Sequence, residues 1–359
     1  MNNRDKMRKI FKISSAFVGI IVGAGFASGQ ELLQYFTSFG YMGTIGAFVA
    51  IVLFGYLGMI LTKLGSRTRA ESHQEVIHKI SGRFLGVIID YILVFILLGI
   101  GIVMIAGSGS IFHQHFGLPS IVGTILMVVL VILTLMLKVD GVIKVIGNIT
   151  PFLIIVVIYL FIHSMFTMDA SFADLEPIAQ EQTSAAGHWL ISLLNYVSFN
   201  IATGASMTLV MGGDERNEKI ASIGGLVGGI AIGLIMTIGH LSIFSKVDSV
   251  GDLEMPLLGI ANSVSPIFGL LYAIVLFGMI FNTAVSMFFS FGIRFAKSQS
   301  TKFKVIVISA VMIGFAASFF GFVKLVSFFY PLFGYLGMLL IIVLIITSFR
   351  MKKIEKVKK

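Results

Sequence analysis

The chain is 359 residues long, 57% hydrophobic and only 12% charged, with a mean hydropathy of +1.00. A single soluble core cannot hide that much apolar side chain, 33 Phe among it, so the composition describes an all-α polytopic membrane protein. With no cysteine there is no disulfide framework, thiolate metal site or cysteine nucleophile, and the net charge of +9 lies in short loops between apolar runs, where it reports membrane orientation rather than nucleic-acid binding.

Apolar runs of about 20 residues, the length that crosses the hydrocarbon core, predict ten spans. The first covers roughly 10–37 and follows the basic residues Arg4, Lys6, Arg8, Lys9 and Lys12. It is too long for a cleaved signal peptide, carries no clear small-x-small cleavage pattern and leads into nine more spans, so a retained helix is expected. Within it, Val22-Gly23-Ala24-Gly25-Phe26-Ala27-Ser28-Gly29-Gln30-Glu31 sets three glycines and a carboxylate where lipid favours an unbroken helix. Irregular backbone survives at membrane depth only where protein or a wet cavity surrounds it, so this break predicts a binding site. The second span lies near 41–62, and a polar connection runs from Lys63 to Arg83. Spans three to five are expected near 84–112, 118–138 and 141–166, and Met168 to His188 form the largest insertion. Spans six to ten follow near 189–211, 219–245, 267–296, 303–322 and 325–349.

With the N-terminus inside, only Lys246 and Lys324 of the 26 Lys and Arg residues fall outside. The external insertion carries Asp169, Asp174, Glu176 and Glu181 with no Lys or Arg. This asymmetry predicts an even number of spans and both termini in the cytoplasm, as in a multi-pass protein of the plasma membrane. The basic tails read as topology determinants at the lipid surface.

Span six repeats the mixture of span one. Asn195-Tyr196-Val197-Ser198-Phe199-Asn200-Ile201-Ala202-Thr203-Gly204-Ala205-Ser206 crowds polar and small residues into mid-membrane, which predicts a second broken helix near Asn200–Gly204. From Gly25 to Gly204 is 179 positions, and from Pro151 to Pro331 is 180. Because five spans are odd in number, a second copy is inverted, giving a 5+5 inverted repeat. The expected boundaries are a tail at 1–9, a first half at 10–166, an extracellular connection at 167–188, a second half at 189–350 and a tail at 351–359. Broken helices at matching places in inverted halves point to a secondary transporter with its site near the midplane.

A break near Gly25 leaves a half-helix from about Ala27 or Ser28, whose N–H groups and positive dipole end can hold a carboxylate. Carbonyls on the other side of the break, and those of Ser198 to Ala202, can accept from an ammonium group or coordinate a cation. The expected solute-binding set is therefore Gly23, Ala24, Gly25, Phe26, Ala27, Ser28 and Gly29 with Ser198, Phe199, Asn200, Thr203 and Gly204. The competing reading of these glycines is close helix packing through Gly19-x-x-x-Gly23 and Gly25-x-x-x-Gly29, and the Gly225-x-x-x-Gly229-x-x-x-Gly233 series reads as helix-packing contacts.

The Gly23-to-Glu31 run, in a chain of ten spans with an interrupted sixth, resembles the YkvI-type amino acid permease family of the amino acid–polyamine–organocation superfamily. That resemblance implies the LeuT-type fold and a carrier of small solutes, without naming the solute. In sodium-coupled members of the superfamily, hydroxyls of mid-span eight and carbonyls of span one form a cation site. Here Asn282, Thr283 and Ser286, with the backbone of Ile20 and Gly23, would hold sodium. Asn282 and Ser286 stand at i,i+4 on one helix face.

Glu31 and Asp90 are the intramembrane carboxyls, and such groups are functional candidates in coupling or gating. Glu31 can titrate, repel anions or cap the half-helix, whereas Asp90 lies about two turns from Arg83 and suggests a salt bridge or inner gate. His163, His188 and His240 are isolated and lack metal-ligand spacing, and His113 and His115 sit at an outer loop. No cofactor other than sodium is expected, and no obligatory protein partner. A rhomboid-type Gly-x-Ser-Gly is missing, a second clean membrane aspartate is missing, and so is a phosphate-binding P-loop, so enzyme and ATP-driven readings fail. The expectation is a sodium-coupled carrier of a small amino-acid-like or amine solute; a proton-coupled permease using Glu31 or Asp90 and a channel-like pore are the alternatives.

Overall fold

The computed structural model describes residues 3–70, 73–136 and 149–357, and every regular element among them is a helix. In chain order these are α1 (Asn3–Ile21), α2 (Ala24–Ser28), α3 (Gln30–Tyr35), the 3-10 turn η1 (Thr37–Phe39), α4 (Gly40–Thr68), α5 (His73–Phe116), α6 (Ser120–Met136) and α7 (Ile149–Phe166). After these come α8 (Phe172–Gln180), α9 (Trp189–Asp214), α10 (Glu218–Phe244), α11 (Val247–Val250), α12 (Pro256–Val264), α13 (Pro266–Phe295), α14 (Thr301–Ser318) and α15 (Phe322–Val357). Among the described residues, six stretches are long and apolar enough to cross a membrane: Gln30–Thr68, Phe84–Phe116, Glu218–Phe244, Pro266–Phe295, Thr301–Ser318 and Phe322–Thr347. Ser120–Met136 and Pro151–Phe166 are shorter apolar helices. Lys138, Lys144 and the first part of the expected fifth span lie outside the described residues. Helix extends further into the polar ends than expected: α1 begins at Asn3, α5 at His73, and α15 runs to Val357.

Two groups of helices pack side by side. One comprises α1, α4, α9 and α10, the other α5, α6, α13 and α14, and α15 lies against both α9 and α5. Lipid tails are as apolar as leucine, so helices in a membrane associate through close contact and small residues rather than through expulsion of water. The glycines of α10 form two stripes that do this. Gly225, Gly229 and Gly233 face α4, where an added Cβ would strike the backbone of Gly58, Phe54 and Ile51; Gly224 and Gly228 face α1 at Ile13 and Ser14. Ser14 adds a hydrogen bond across that contact, donating to the Gly224 carbonyl at 2.9 Å. The packing reading of the Gly225 series therefore stands, but Gly19 has open space around it and is no helix contact.

The sixth expected span is not broken. Helix α9 runs without interruption from Trp189 to Asp214. Its polar side chains bond back to their own helix: Ser198 Oγ donates to the Leu194 carbonyl at 2.6 Å, Asn200 Nδ2 to Tyr196 at 3.0 Å and Thr203 Oγ1 to Phe199 at 2.9 Å. The small residues serve close packing, since Gly204 lies against Ile20 and Ile21 while Gly337 of α15 lies against the Ser198 carbonyl. Polar and small residues that suggest a break can equally be a continuous helix pressed between two neighbours.

The insertion between α7 and α9 is tied down at several points. Ser171 and Asp174 form a capping box at the start of α8. Glu176 accepts from the Tyr41 N–H at 2.8 Å, the Ala185 N–H donates to the Gln34 carbonyl at 2.9 Å, and Lys246 pairs with Asp169 at 3.2 Å. His188 then caps α9 by accepting from Leu190 N–H at 3.2 Å, and the chain's single tryptophan, Trp189, turns its ring toward Gly46 of α4.

Gly229→Val would drive a branched side chain into the α4 backbone, and overpacking of this kind costs typically about 1–3 kcal/mol. The expected outcome is a sharp fall in folded yield and thermal stability in detergent. Gly19→Ala, with nothing in its way, should leave both unchanged.

Candidate functional site

The first span is interrupted twice. Helix α1 stops at Ile21, with Val22 N–H still donating to Val18 at 2.8 Å. Gly23 is extended (φ −106°, ψ −167°), α2 makes little more than one turn, and Gly29 adopts φ +83° before α3 begins. That left-handed backbone favours glycine. The freed groups find partners inside the protein. Ser28 Oγ donates to the Gly25 carbonyl at 2.7 Å and accepts from Gln30 N–H at 3.1 Å, while the Tyr272 hydroxyl of α13 donates to the Ala27 carbonyl at 2.6 Å.

Glu31, one residue into α3 and 4% exposed, folds back over Gly25. A Cβ on Gly25 would collide with this carboxylate, and the Tyr330 hydroxyl comes next at 3.0 Å. The space above Gly25 that sequence reasoning reserved for a solute is thus bordered by a carboxylate of the protein itself. The Tyr196 hydroxyl of α9 lies close to the Glu31 carboxylate, and the Tyr196 carbonyl accepts from Asn200 Nδ2 at 3.0 Å. Tyr35 donates to Asn195 Oδ1 at 3.0 Å, and Asn195 Nδ2 donates to the Pro331 carbonyl at 2.9 Å. Phe199 stacks on Tyr330 with ring centroids 4.5 Å apart. This group joins α3, α9 and α15 around the break. Of the expected set, Phe199 and Asn200 belong to it directly. Ser28 is spent on the break itself, Thr203 on its own helix, and Phe26 packs toward Leu32 and Gly239 of α10.

At the other end of the break, the last carbonyls of α1 have no partner in their own helix. Thr283 Oγ1 of α13 is the side-chain atom nearest the open side of Gly23, and the Ile21 carbonyl lies on the same side. The adjacent Asn282 carries a buried Oδ1 without a hydrogen-bond partner. Ser286 is half-buried one turn further along α13. These are neutral, hard oxygen donors, a set suited to an alkali cation and not to a soft metal.

Several residues were missed. Tyr35, Tyr196, Tyr272 and Tyr330 were not singled out, although a tyrosine in mid-span needs a partner for its hydroxyl and so signals a polar interior. Gln30 and Gln34 are buried at 3% and 0% exposure, and Gln30 Oε1 and both polar atoms of the Gln34 amide lack partners. Their i,i+4 spacing on α3 was the available signal.

Asp90 of α5 is paired with Arg294 of α13, so its carboxyl links two helices from different halves of the chain. The side chain of Arg83, its expected neighbour, lies outside the described residues. His240 is held between Thr37 (2.9 Å) and Thr44 (2.8 Å), and His115 meets Asn262 at 3.0 Å. Each has a structural partner.

No family model matches the chain. It is 27% identical over 329 residues to the uncharacterized membrane protein YkvI of Bacillus subtilis (strain 168), an alignment spanning 91% of this chain and 92% of YkvI. It is 24% identical over 337 residues to the uncharacterized protein YyaD of the same organism, spanning 92% and 94%. Among solved structures it is similar to MhsT in complex with L-phenylalanine, with a TM-score of 0.62 and 18% identity over 90% of this chain and 87% of MhsT. It also resembles a mutant form of the manganese transporter of Eremococcus coleocola, with a TM-score of 0.55 and 13% identity over 98% of this chain and 74% of the transporter. A sodium-coupled sialic acid symporter in a substrate-bound outward-open state matches at a TM-score of 0.50, 15% identity, 94% and 86% covered. The chain is similar to YkvI and has the LeuT-type fold, and the solved structures it resembles are transporters, not enzymes.

The break depends on Gly29. Any other residue in a left-handed conformation costs about 1–2 kcal/mol, and a Cβ there would also press on Leu257 at 2.9 Å. Gly29→Ala should therefore lower thermal stability more than Tyr272→Phe, which removes one hydrogen bond worth about 1 kcal/mol. Thermal unfolding of the purified variants in one detergent decides the order.

Proposed function

We propose that this protein is a secondary active transporter of the plasma membrane that carries a small amino-acid-like or amine solute by alternating access, coupled to sodium. The carrying observation is the double break of the first span, which leaves the carbonyl end of α1 beside Thr283 and the unpartnered Asn282 Oδ1. Neutral oxygen donors arranged at an interrupted helix suit sodium, and the adjoining polar, aromatic ground around Glu31 suits a solute with both charged and apolar parts. The likeness to MhsT, solved in complex with L-phenylalanine, and to a sodium-coupled sialic acid symporter supports the same reading.

The topology we propose has ten spans in two inverted halves, 10–166 and 189–350, joined by the external connection 167–188, with the tails 1–9 and 351–359 in the cytoplasm. The distribution of Lys and Arg supports it, and so does the pairing of Lys246 with the acidic insertion on the outer side. The Asp90–Arg294 pair, near the basic side of α5 and α13, acts as an inner latch that must part when the site opens inward. Of the first and sixth spans only the first is interrupted, so movement of α2 and α3 around Gly23 and Gly29 supplies the local change while α9 tilts as a rigid rod.

Uptake by proteoliposomes tests the coupling. With an inward sodium gradient, solute should accumulate and show counterflow; potassium or choline should not replace sodium. Thr283→Ala should raise the sodium concentration needed for half-maximal uptake about tenfold, equivalent to roughly 1.4 kcal/mol. Uptake that ignores sodium and collapses with the proton gradient would reject sodium coupling, and unitary conductance without counterflow would reject a carrier.

A further inference from the structure

A buried carboxylate needs a counter-charge, and Glu31 has none among the described residues. The ion pairs lie elsewhere: Arg294 with Asp90, Arg67 with Glu218, Lys9 with Glu215 and Lys246 with Asp169. The neighbours of Glu31 are the Tyr196 hydroxyl, the Tyr330 hydroxyl beside Gly25, and the rings of Tyr35 and Phe199, which extend the group through contacts to Tyr196 (5.1 Å between centroids) and Tyr330 (4.5 Å). The Tyr35 and Tyr272 hydroxyls are committed to Asn195 and Ala27. A lone carboxylate in such a place is strongly disfavoured unless a cation or a proton joins it. Aromatic faces decide between cations: they offer few of the oxygen ligands sodium wants, and they attract an organic ammonium through the ring quadrupole. The adjoining face of α3 adds an independent sign of a polar guest, because Gln30 and Gln34 bury three amide atoms without partners. Native interiors rarely leave such atoms unmatched.

We propose that Glu31 receives a positively charged amino group of the transported solute, with Tyr196, Tyr330 and Phe199 forming the aromatic wall around it. The assignment rests on the carrier reading and sets its substrate class: small organic ammonium compounds, bound with the amino group toward Gly25. It reverses the polarity expected from the half-helix, because a solute carboxylate brought to Gly25 would meet the Glu31 carboxylate. A zwitterion is accepted only with its acid group pointing away from the break, toward Gln30 and Gln34. A carboxyl group is therefore dispensable in the solute and an amino group is not.

The test uses the full-length protein in detergent and in proteoliposomes, with phenethylamine, L-phenylalanine, N-acetyl-L-phenylalanine and phenethyl alcohol, together with hexylamine and putrescine, as probes for thermal stabilisation and for counterflow. The ammonium-bearing probes should stabilise the wild type, the N-acetyl and alcohol probes should not, and Glu31→Gln should lose at least tenfold in affinity for the ammonium probes. If Glu31→Gln fails to fold, Phe199→Leu serves in its place, with the preference for phenethylamine over phenethyl alcohol as the readout; that preference should shrink several-fold. The proposal is overturned if ammonium probes bind Glu31→Gln as well as wild type, if Phe199→Leu keeps the full preference, or if no ammonium probe binds. Counterflow of a neutral or anionic solute would sink this assignment and leave the carrier standing, whereas conductance without counterflow for any solute would sink the carrier reading beneath it.

Discussion

Backbone that leaves the helix inside hydrocarbon has no water to turn to, and every N–H and carbonyl it releases must be matched by protein. The segment from Val22 to Gln30 shows how that demand is met: a serine that both donates and accepts, a tyrosine reaching over from α13, and a glycine able to take the left-handed turn. What these bonds leave over is as informative as what they satisfy. The end of α1 keeps carbonyls facing Thr283, and the start of α3 sets Glu31 over Gly25. The proposed cation and solute sites therefore sit at the two ends of one short interruption, a few residues apart, and a shift of α2 would be felt at both.

The first break was legible because three glycines and a carboxylate within nine residues have few uses in a lipid-facing helix. The sixth span carries a similar mixture and yet continues as helix, since Ser, Thr and Asn side chains can satisfy themselves on carbonyls four residues back and glycine can serve a neighbour's approach. Local composition cannot distinguish these cases; the distinction is made by Gly337 and Ile21, which arrive from 139 and 177 residues away from Ser198. The helices themselves and the packing role of Gly225, Gly229 and Gly233 followed from apolar length and small-residue spacing. The tyrosine group around Glu31 did not, because residues near 31, 196 and 330 come together only once α3, α9 and α15 are packed.

Charge is sorted with depth. At the helix ends, pairs such as Arg67–Glu218 are partly exposed, and pairs of that kind contribute little to stability. Glu215, at the end of α9, shows the competition involved: burial pushes its carboxyl up, and the Lys9 ammonium with the Asn217 and Arg216 N–H groups more than offsets this and holds it below the usual range. Asp90 keeps Arg294. Of the three buried carboxylates among the described residues, Glu31, Asp90 and Glu215, only Glu31 has no basic partner and lies deep with hydroxyls for company.

The position of Trp189 has an experimental consequence. This single indole stands where the acidic strap before Trp189 enters α9 and faces Gly46 of α4, in a chain that contains no cysteine. The strap is bonded to α3 through Ala185 and Gln34 and to α4 through Glu176 and Tyr41. Any outward swing of α3 must pull on those bonds and change the surroundings of the indole. The molecule thus carries its own fluorophore at the mouth of the proposed pathway, on a background free of thiols, and intrinsic emission can follow opening without any label being attached.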